Sequence, residues 1–227
     1  MYEHKAHIQE DIIIKMVDKE RGYQPRIGSR KLFEMLSPKI HKQGMSMGRD
    51  AFIELLRENN LLVRRPRKRV VTTNSRHWMR KYANLIKEFT PTQPHSLWVS
   101  DLTYIEVGED FMYLWLITDA YSHKIVGWSL EETMEVRGAL RALDMALGQL
   151  PSGKEYNLIH HSDRGSQYCS DKYVTTLKAF DICVSMTENG DPLENAIAER
   201  VNGILKNEWL DVYKPETKAQ AISLLPR

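Results

Sequence analysis

The stretch that decides the fold of this chain begins with LIHHSDRGSQY at residues 158–168. It ends with NAIAERVNGILK at residues 195–206. It places two particular carboxylates, Asp163 and Glu199, in the chain with 35 residues between them. Asp163 follows a short apolar segment typical of a buried strand, whereas Glu199 lies where apolar residues recur at helical spacing. The two acids can therefore meet only if this strand and this helix pack in one folded domain.

A third carboxylate, Asp101, lies upstream in WVSDLTYI, residues 98–105, inside an apolar run that predicts a strand. A charge in such a strand is uncommon, because it must be paired or bound to metal. Asp119 in the next strand is another such residue, and we do not assign it to metal. Asp101, Asp163 and Glu199 together would hold divalent metal in the folded domain.

The hydrophobic pattern around these acids changes from period two to helical spacing and back. It predicts three antiparallel strands, then helix, strand, helix and strand, and a final helix that carries Glu199. This order is typical of an α/β, ribonuclease H-like fold with a mixed five-strand sheet. The predicted strands are 98–107, 111–118, 124–130, 157–161 and 182–185, and the predicted helices between the later strands are 135–149 and 173–180.

Three carboxylates suit magnesium, which prefers hard oxygen ligands and retains several waters. His160 and His161 next to Asp163 invite a zinc or general-base interpretation, but neighbouring strand residues point to opposite faces, so at most one could join the site. We therefore expect no histidine in the metal site.

The N-terminal 62 residues predict helices. Apolar residues from Ile8 to Val17 have helical spacing, Ser29 is a plausible N-cap of a second helix that Pro38 interrupts, and Ser46 is a plausible cap of a third. The last two helices, with Gly44 between them and Arg49 at the start of the third, match a helix-turn-helix. The pattern alone fits an ordinary helical hairpin equally well.

Charge is distributed unevenly, although the chain carries a net charge of only +2. Residues 1–95 contain 20 Lys and Arg against 10 Asp and Glu, whereas residues 96–227 contain 12 against 20. No acid lies between Leu61 and Lys87. Such an interval is typical of an extended linker that meets phosphates, the alternative being a charged linker with no ligand. The linker candidates for DNA contact are Arg64, Arg65, Arg67, Lys68 and Arg69.

The words WVSDLTYI, HHSDRGSQYCS and ENAIAERVNGILKNE, in this order, resemble the insertion-sequence DDE transposases related to retroviral integrases. The resemblance runs from about Gly22 to Trp209. It implies metal-dependent DNA cleavage and strand transfer, with Asp101 bridging two Mg²⁺ ions (Mn²⁺ as a substitute) and Asp163 and Glu199 each completing one. One departure is that such proteins usually continue into a segment with Tyr-Asn and Arg-x-His, which this sequence lacks.

Further residues near these words are candidate DNA contacts. Lys206 follows Glu199 by seven residues, close to two helical turns, so it would face a phosphate beside the site, and Asn202 lies on the same face. The loop residues Arg164, Gln167 and Tyr168 either contact the DNA end or only form a turn held by its own hydrogen bonds. The resemblance also implies a multimer on double-stranded DNA ends and target, and a partner helix-turn-helix protein from an upstream reading frame.

Two other functions stay open at this stage. A shortened chain that binds DNA without cutting it would follow if the departure near the C-terminus leaves Val201, Leu205 and Trp209 without packing partners. A ribonuclease H-like nuclease would cut without joining, but it leaves the helix-turn-helix unexplained.

The composition of the chain limits the class of protein and its expected location. Two cysteines are too few for a disulfide framework, and no apolar run reaches the ~20 residues that span a bilayer. We expect a cytoplasmic, nucleoid-associated protein. The expected domains are a helix-turn-helix region at residues 1–62, a basic linker at 63–95 and a catalytic core at 96–227.

Overall fold

A computed structural model describes residues 2–63, 77–151, 156–188 and 192–225, and the predicted linker contacts from Arg64 to Arg69 lie outside these ranges. Its elements are α1 (Tyr2–Tyr23), α2 (Ser29–Lys42), α3 (Arg49–Glu58), β1 (Leu97–Val107), β2 (Asp110–Asp119), β3 (Ile125–Glu131), α4 (Val136–Leu147), β4 (Ile159–Ser162), α5 (Asp171–Ala179), β5 (Cys183–Met186), a 3₁₀ turn (Pro192–Asn195), α6 (Ala196–Ile204), a π-helical segment (Leu205–Leu210), α7 (Asp211–Tyr213) and α8 (Lys218–Ser223). None of the helices in these ranges has the length and apolar character that a membrane crossing requires.

One compact unit contains α1 to α3, whose apolar faces form a common core. Two sequence predictions were wrong here. α2 runs through Pro38 instead of being interrupted, because Leu32, Leu36 and Ile40 at four-residue spacing bury one continuous face while Pro38 stays exposed. The predicted caps are also shifted, since the N-cap positions are Gly28 and Gly48 and not Ser29 and Ser46.

Residues 207–213 belong to this helical unit although they are distant from it in sequence. The Lys31 ammonium contacts the Glu208 carboxylate at 3.1 Å, and the Tyr213 hydroxyl donates to the Tyr23 carbonyl at 3.3 Å. The sequence prediction had kept these residues within the core of residues 96–227, because no pattern marks the change of packing partner.

A second unit is built on a five-strand sheet of order β3-β2-β1-β4-β5. The pairs β1–β2 and β2–β3 are antiparallel, whereas β1–β4 and β4–β5 are parallel. This confirms the predicted meander, the mixed five-strand sheet and the ribonuclease H-like fold class. Each strand lies within two residues of its predicted bounds.

Alternating residues of β1 bury both faces of the sheet. Trp98 packs in the core formed with α4 and α5, whereas Leu97 and Val99 pack with Ala198 of α6. Gly138 lets α4 lie directly on the sheet, because a Cβ there would overlap the ring of Trp115. With β1 fixed between two layers, residues at its centre can be held in defined positions.

Candidate active site

The register of β1 and β4 places Asp101 beside Asp163. Ser100 pairs with Ser162 as the last pair of this parallel ladder. Asp101 is the next residue of β1, and Asp163 is the first residue after β4. The two carboxylates therefore come from β1 and from the start of the loop after β4, near enough for the charge of Asp163 to act on Asp101.

Asp101 is partly buried and lies near both other predicted acids. Burial and the negative charge of Asp163, with a smaller contribution from Glu199, raise its carboxyl pKa to about 7. A hydrogen bond from Asn202 opposes this rise. The structure thus brings all three acids into one electrostatic neighbourhood, in which each added charge disfavours the ionised form of Asp101.

The loop after β4 fixes Asp163. Its Oδ1 accepts a hydrogen bond from the backbone N–H of Gly165 at 2.9 Å. A Cβ at Gly165 would lie 3.0 Å from that same oxygen, so glycine allows the loop to close tightly on the carboxylate. The turn therefore positions Asp163 without covering it with a side chain.

Two asparagines connect the Glu199 helix to β1. Asn202 donates from Nδ2 to Oδ2 of Asp101 at 2.6 Å, and Asn195 donates from Nδ2 to the carbonyl of Ser100 at 3.0 Å. Both amides are buried, and the Oδ1 atom of each has no hydrogen-bond partner among the described residues. Unsatisfied acceptors are rare in protein interiors, so the site carries more oxygen atoms than its own donors satisfy.

Within the described ranges, no three His, Cys, Asp or Glu side chains lie close enough together to form a ready metal-ligand set. What the site offers is a carboxylate on β1 that is repelled by one in the loop after β4 and by one on α6. A divalent cation would offset that repulsion, and the hard oxygen ligands suit Mg²⁺.

The neighbouring histidines are structural. His160 shares a hydrogen bond with the Tyr173 hydroxyl at 2.9 Å, and His161 bonds the Ser185 hydroxyl at 2.8 Å and the Glu194 carbonyl at 2.9 Å. Burial is the main cause that lowers their pKa, to about 3 for His160 and about 4 for His161. Both rings are therefore neutral packing groups.

Asp119, which we did not assign to metal, also has a structural role. Its Oδ2 accepts from the backbone N–H of His95, and its Oδ1 accepts from the N–H and the hydroxyl of Ser122, all at 2.7 Å. These donors fix the turn at the end of β2.

The predicted DNA contacts fall in different environments. Lys206 donates to the Tyr104 carbonyl at 2.9 Å and lies 3.7 Å from the centre of the Tyr104 ring. Its position does not follow two regular helical turns, because the helix becomes π-helical at Leu205. Asn202 is buried against Asp101. Arg49 is exposed and pairs with Asp50 at 2.8 Å.

The loop after Asp163 differs in part from its predicted role. Tyr168 was a candidate DNA contact, but it is only 2% exposed, and its hydroxyl accepts from Ser100 at 3.0 Å. Arg164 is partly exposed, with a buried Nε that has no partner in the described part of the chain. Ser100 and Asn195 are the residues that the sequence prediction missed; only their positions beside Asp101 and before α6 could have drawn attention to them.

A family model described as "Integrase core domain" matches residues 91–192, a range that includes Asp101 and Asp163. The chain is 38% identical over 192 residues to the insertion element IS600 uncharacterized 31 kDa protein of Shigella sonnei, covering 84% of this chain and 70% of that protein. It is 34% identical over 180 residues to the transposase for insertion sequence element IS629 of Shigella sonnei, covering 79% and 58%. It is 36% identical over 141 residues to the putative transposase for insertion sequence element IS986/IS6110 of Mycobacterium tuberculosis, covering 61% and 51%. The chain thus spans from about half to 70% of the length of these relatives.

Solved structures give weaker similarities. The simian T-cell lymphotropic virus intasome, in complex with PP2A regulatory subunit B56 gamma, matches with a TM-score of 0.49 and 18% identity, covering 92% of this chain and 63% of that chain. The HTLV-2 integrase catalytic core domain, in complex with magnesium, matches with a TM-score of 0.44 and 23% identity, covering 54% and 74%. Both TM-scores are low, so the fold assignment rests on the strand order of the sheet and on the family match.

Proposed function

This chain belongs to the family of insertion-element proteins that carry an integrase core domain, and from that premise we propose that it is a metal-dependent DNA transposase. The reaction is phosphodiester cleavage at an element end, followed by joining of the freed 3′ hydroxyl to target DNA. In each step an oxygen attacks phosphorus, a new P–O bond forms, and the bond to the leaving 3′ oxygen breaks.

One observation carries this proposal: Asp101 of β1 lies partly buried near Asp163 of the β4 loop and Glu199 of α6, and its burial together with these two charges raises its carboxyl pKa to about 7. A protein gains no stability from three charges that repel one another. Their grouping is explained if a cation binds among them, and perturbed carboxyls of this kind are concentrated at functional sites.

We assign Asp101, Asp163 and Glu199 as the ligands of divalent metal, two Mg²⁺ ions with Mn²⁺ as a substitute. When bound, the ions would activate the attacking oxygen and offset charge on the leaving oxygen. The protein's own part is to hold the ligands. Asn202 orients the Asp101 carboxylate, and the Gly165 N–H orients that of Asp163.

DNA recognition is assigned to the basic parts of the chain. α2 and α3 would form the helix-turn-helix, with Arg49 at the N-terminal end of the recognition helix. The linker arginines and lysine would follow the phosphate backbone. Lys206 and Arg164 would contact phosphates near the candidate site. The chain would act as a multimer that pairs two DNA ends. A helix-turn-helix protein from an upstream reading frame would be a further partner.

Strand cleavage and joining on labelled duplex ends of the flanking element, with Mg²⁺ or Mn²⁺, test the proposal. Asp163→Asn should abolish metal-dependent product. Asp144→Asn removes the same charge from the exposed face of α4 and should leave product unchanged. Equal activity of Asp163→Asn and the native chain would refute the site, and cleavage that never proceeds to joining would indicate a nuclease.

A further inference from the structure

Trp78 is the most exposed of the large apolar residues in the described ranges, with 90% of its surface open to solvent. Its neighbours in sequence are anchored. His77 donates from Nε2 to the carbonyl of Arg164 at 2.8 Å, and Met79 packs against the main core of the sheet unit. The chain therefore turns inward on both sides of Trp78 and holds the indole outward.

The anchor ties the residue before Trp78 to the loop that follows Asp163. Arg164, which accepts the His77 hydrogen bond, directly follows Asp163. Tyr82, three residues after Met79, packs against the same core, so the segment is held at a third point. Trp78 is thus one residue from a group bonded to the loop that positions a proposed metal ligand.

The surroundings of Trp78 are basic. Arg80 and Lys81 are exposed, and the positive charges of Lys81 and Arg164 both reach the loop, where they oppose the rise in the Cys169 thiol pKa that burial causes. The Nε of Arg164 is buried and has no partner among the described residues. Cations around an exposed indole form the combination that binds unpaired nucleic acid, in which bases stack on aromatic rings while Lys and Arg contact the backbone.

We propose that Trp78 stacks on an unpaired DNA base beside the candidate site of Asp101, Asp163 and Glu199. Single exposed apolar residues are common on protein surfaces and need no function. Here the indole lies between two anchored neighbours, one of which bonds the residue after Asp163, and the exposed Arg80 and Lys81 follow it in sequence. That arrangement favours a base as its occupant. The location next to the reacting phosphate rests on the proposed function, whereas the stacking itself does not.

The test is binding without catalysis, in EDTA. The probes are a mixed-sequence duplex with a three-nucleotide overhang, which carries 2-aminopurine at its first unpaired position, and the same duplex with a blunt end. The native chain should prefer the overhang and quench the 2-aminopurine. Trp78→Ala should bind the overhang about tenfold more weakly, lose the quenching and bind the blunt duplex unchanged. Trp78→Phe should retain most of the affinity.

Tyr121→Ala, which removes another exposed aromatic side chain, is the matched control and should bind both duplexes as the native chain does. Equal affinity of Trp78→Ala and the native chain for the overhang would overturn the proposal, as would no preference of the native chain for the overhang. Reduced self-association of Trp78→Ala with unchanged DNA binding would also overturn it and assign the indole to contact with a second copy. If Trp78-dependent binding persists while the native chain joins no strands, only the proposed transposase function fails.

Discussion

Asn202 donates a hydrogen bond to Oδ2 of Asp101 at 2.6 Å, and this bond joins the helix of Glu199 to the strand of Asp101. The amide is buried, so it holds one orientation of the carboxylate. A donor to a metal-ligating carboxylate fixes its geometry, and its loss commonly lowers metal affinity by about 10- to 100-fold. Asn202 is thus expected to act on the metal through Asp101.

Asn202→Ala should raise the Mg²⁺ concentration for half-maximal strand cleavage by about tenfold. Its unfolding free energy in urea should fall by about 1–3 kcal/mol, because a hydrogen bond to a partly buried carboxylate is lost. Asn157→Ala, at an exposed position outside the site, should change neither quantity. A purely structural role would appear as a stability loss with an unchanged Mg²⁺ dependence.

The same substitution at two aspartates should have opposite effects on the metal-free protein. In EDTA at pH 8, Asp101→Asn should raise the unfolding free energy by about 1–4 kcal/mol, because burial and two neighbouring charges disfavour the carboxylate, and each unit of pKa shift is worth ~1.4 kcal/mol. The oxygen of the new amide can still accept the hydrogen bond from Asn202.

Asp119→Asn should lower the unfolding free energy by about 1–3 kcal/mol. Both oxygens of Asp119 accept hydrogen bonds, and an amide would turn one N–H₂ group toward a donor. Urea unfolding of the two variants beside the native chain measures both changes. If both substitutions destabilise equally, repulsion at Asp101 is not a significant cost of folding.

Magnesium should stabilise the native chain against heat. At a Mg²⁺ concentration about ten times its dissociation constant, binding adds ~1.4 kcal/mol, which raises the melting temperature by about 3–5 °C in a chain of this size. Asp163→Asn should lose the increase, whereas Asp144→Asn should keep it. Sodium chloride at matched ionic strength controls for screening, and an equal increase in Asp163→Asn would place the bound metal elsewhere.

Much of the sheet unit was predictable because its strands are apolar runs and its three acids lie in distinctive sequence motifs. Local patterns predicted Asp101 in a strand, Asp163 after one and Glu199 on a helix. They did not predict the hydrogen bond from Asn195 to the Ser100 carbonyl, because its partner is 95 residues away. A hydrogen bond between residues so far apart in sequence depends on the packed fold, and the hydrophobic periodicity of the sequence does not show it.

The failures have similar causes. α2 continues through Pro38 because tertiary burial of its apolar face outweighs the backbone hydrogen bond that proline removes. Tyr168 looked like a polar loop residue, yet its ring is buried because its hydroxyl finds a partner in Ser100. In each case a contact with a residue distant in sequence determines the conformation or burial of the residue, and its local sequence pattern does not show that contact.

The helix-turn-helix assignment predicts that the two ends of α3 differ in DNA binding. Arg49 begins the helix and Arg57 lies in its last turn, and both are exposed arginines paired with a nearby acid on the same helix. A recognition helix enters the major groove by its N-terminal end, so Arg49→Ala should weaken binding to element ends by about 5- to 100-fold. Arg57→Ala, with the same change in charge, should have little effect.

If Arg49 contacts a phosphate, the slope of log affinity against log salt should fall by about one, and binding to unrelated DNA should weaken equally. If Arg49 contacts a base edge, the loss should be confined to the element end. Equal effects of the two substitutions would mean that α3 does not enter the groove by its first turn.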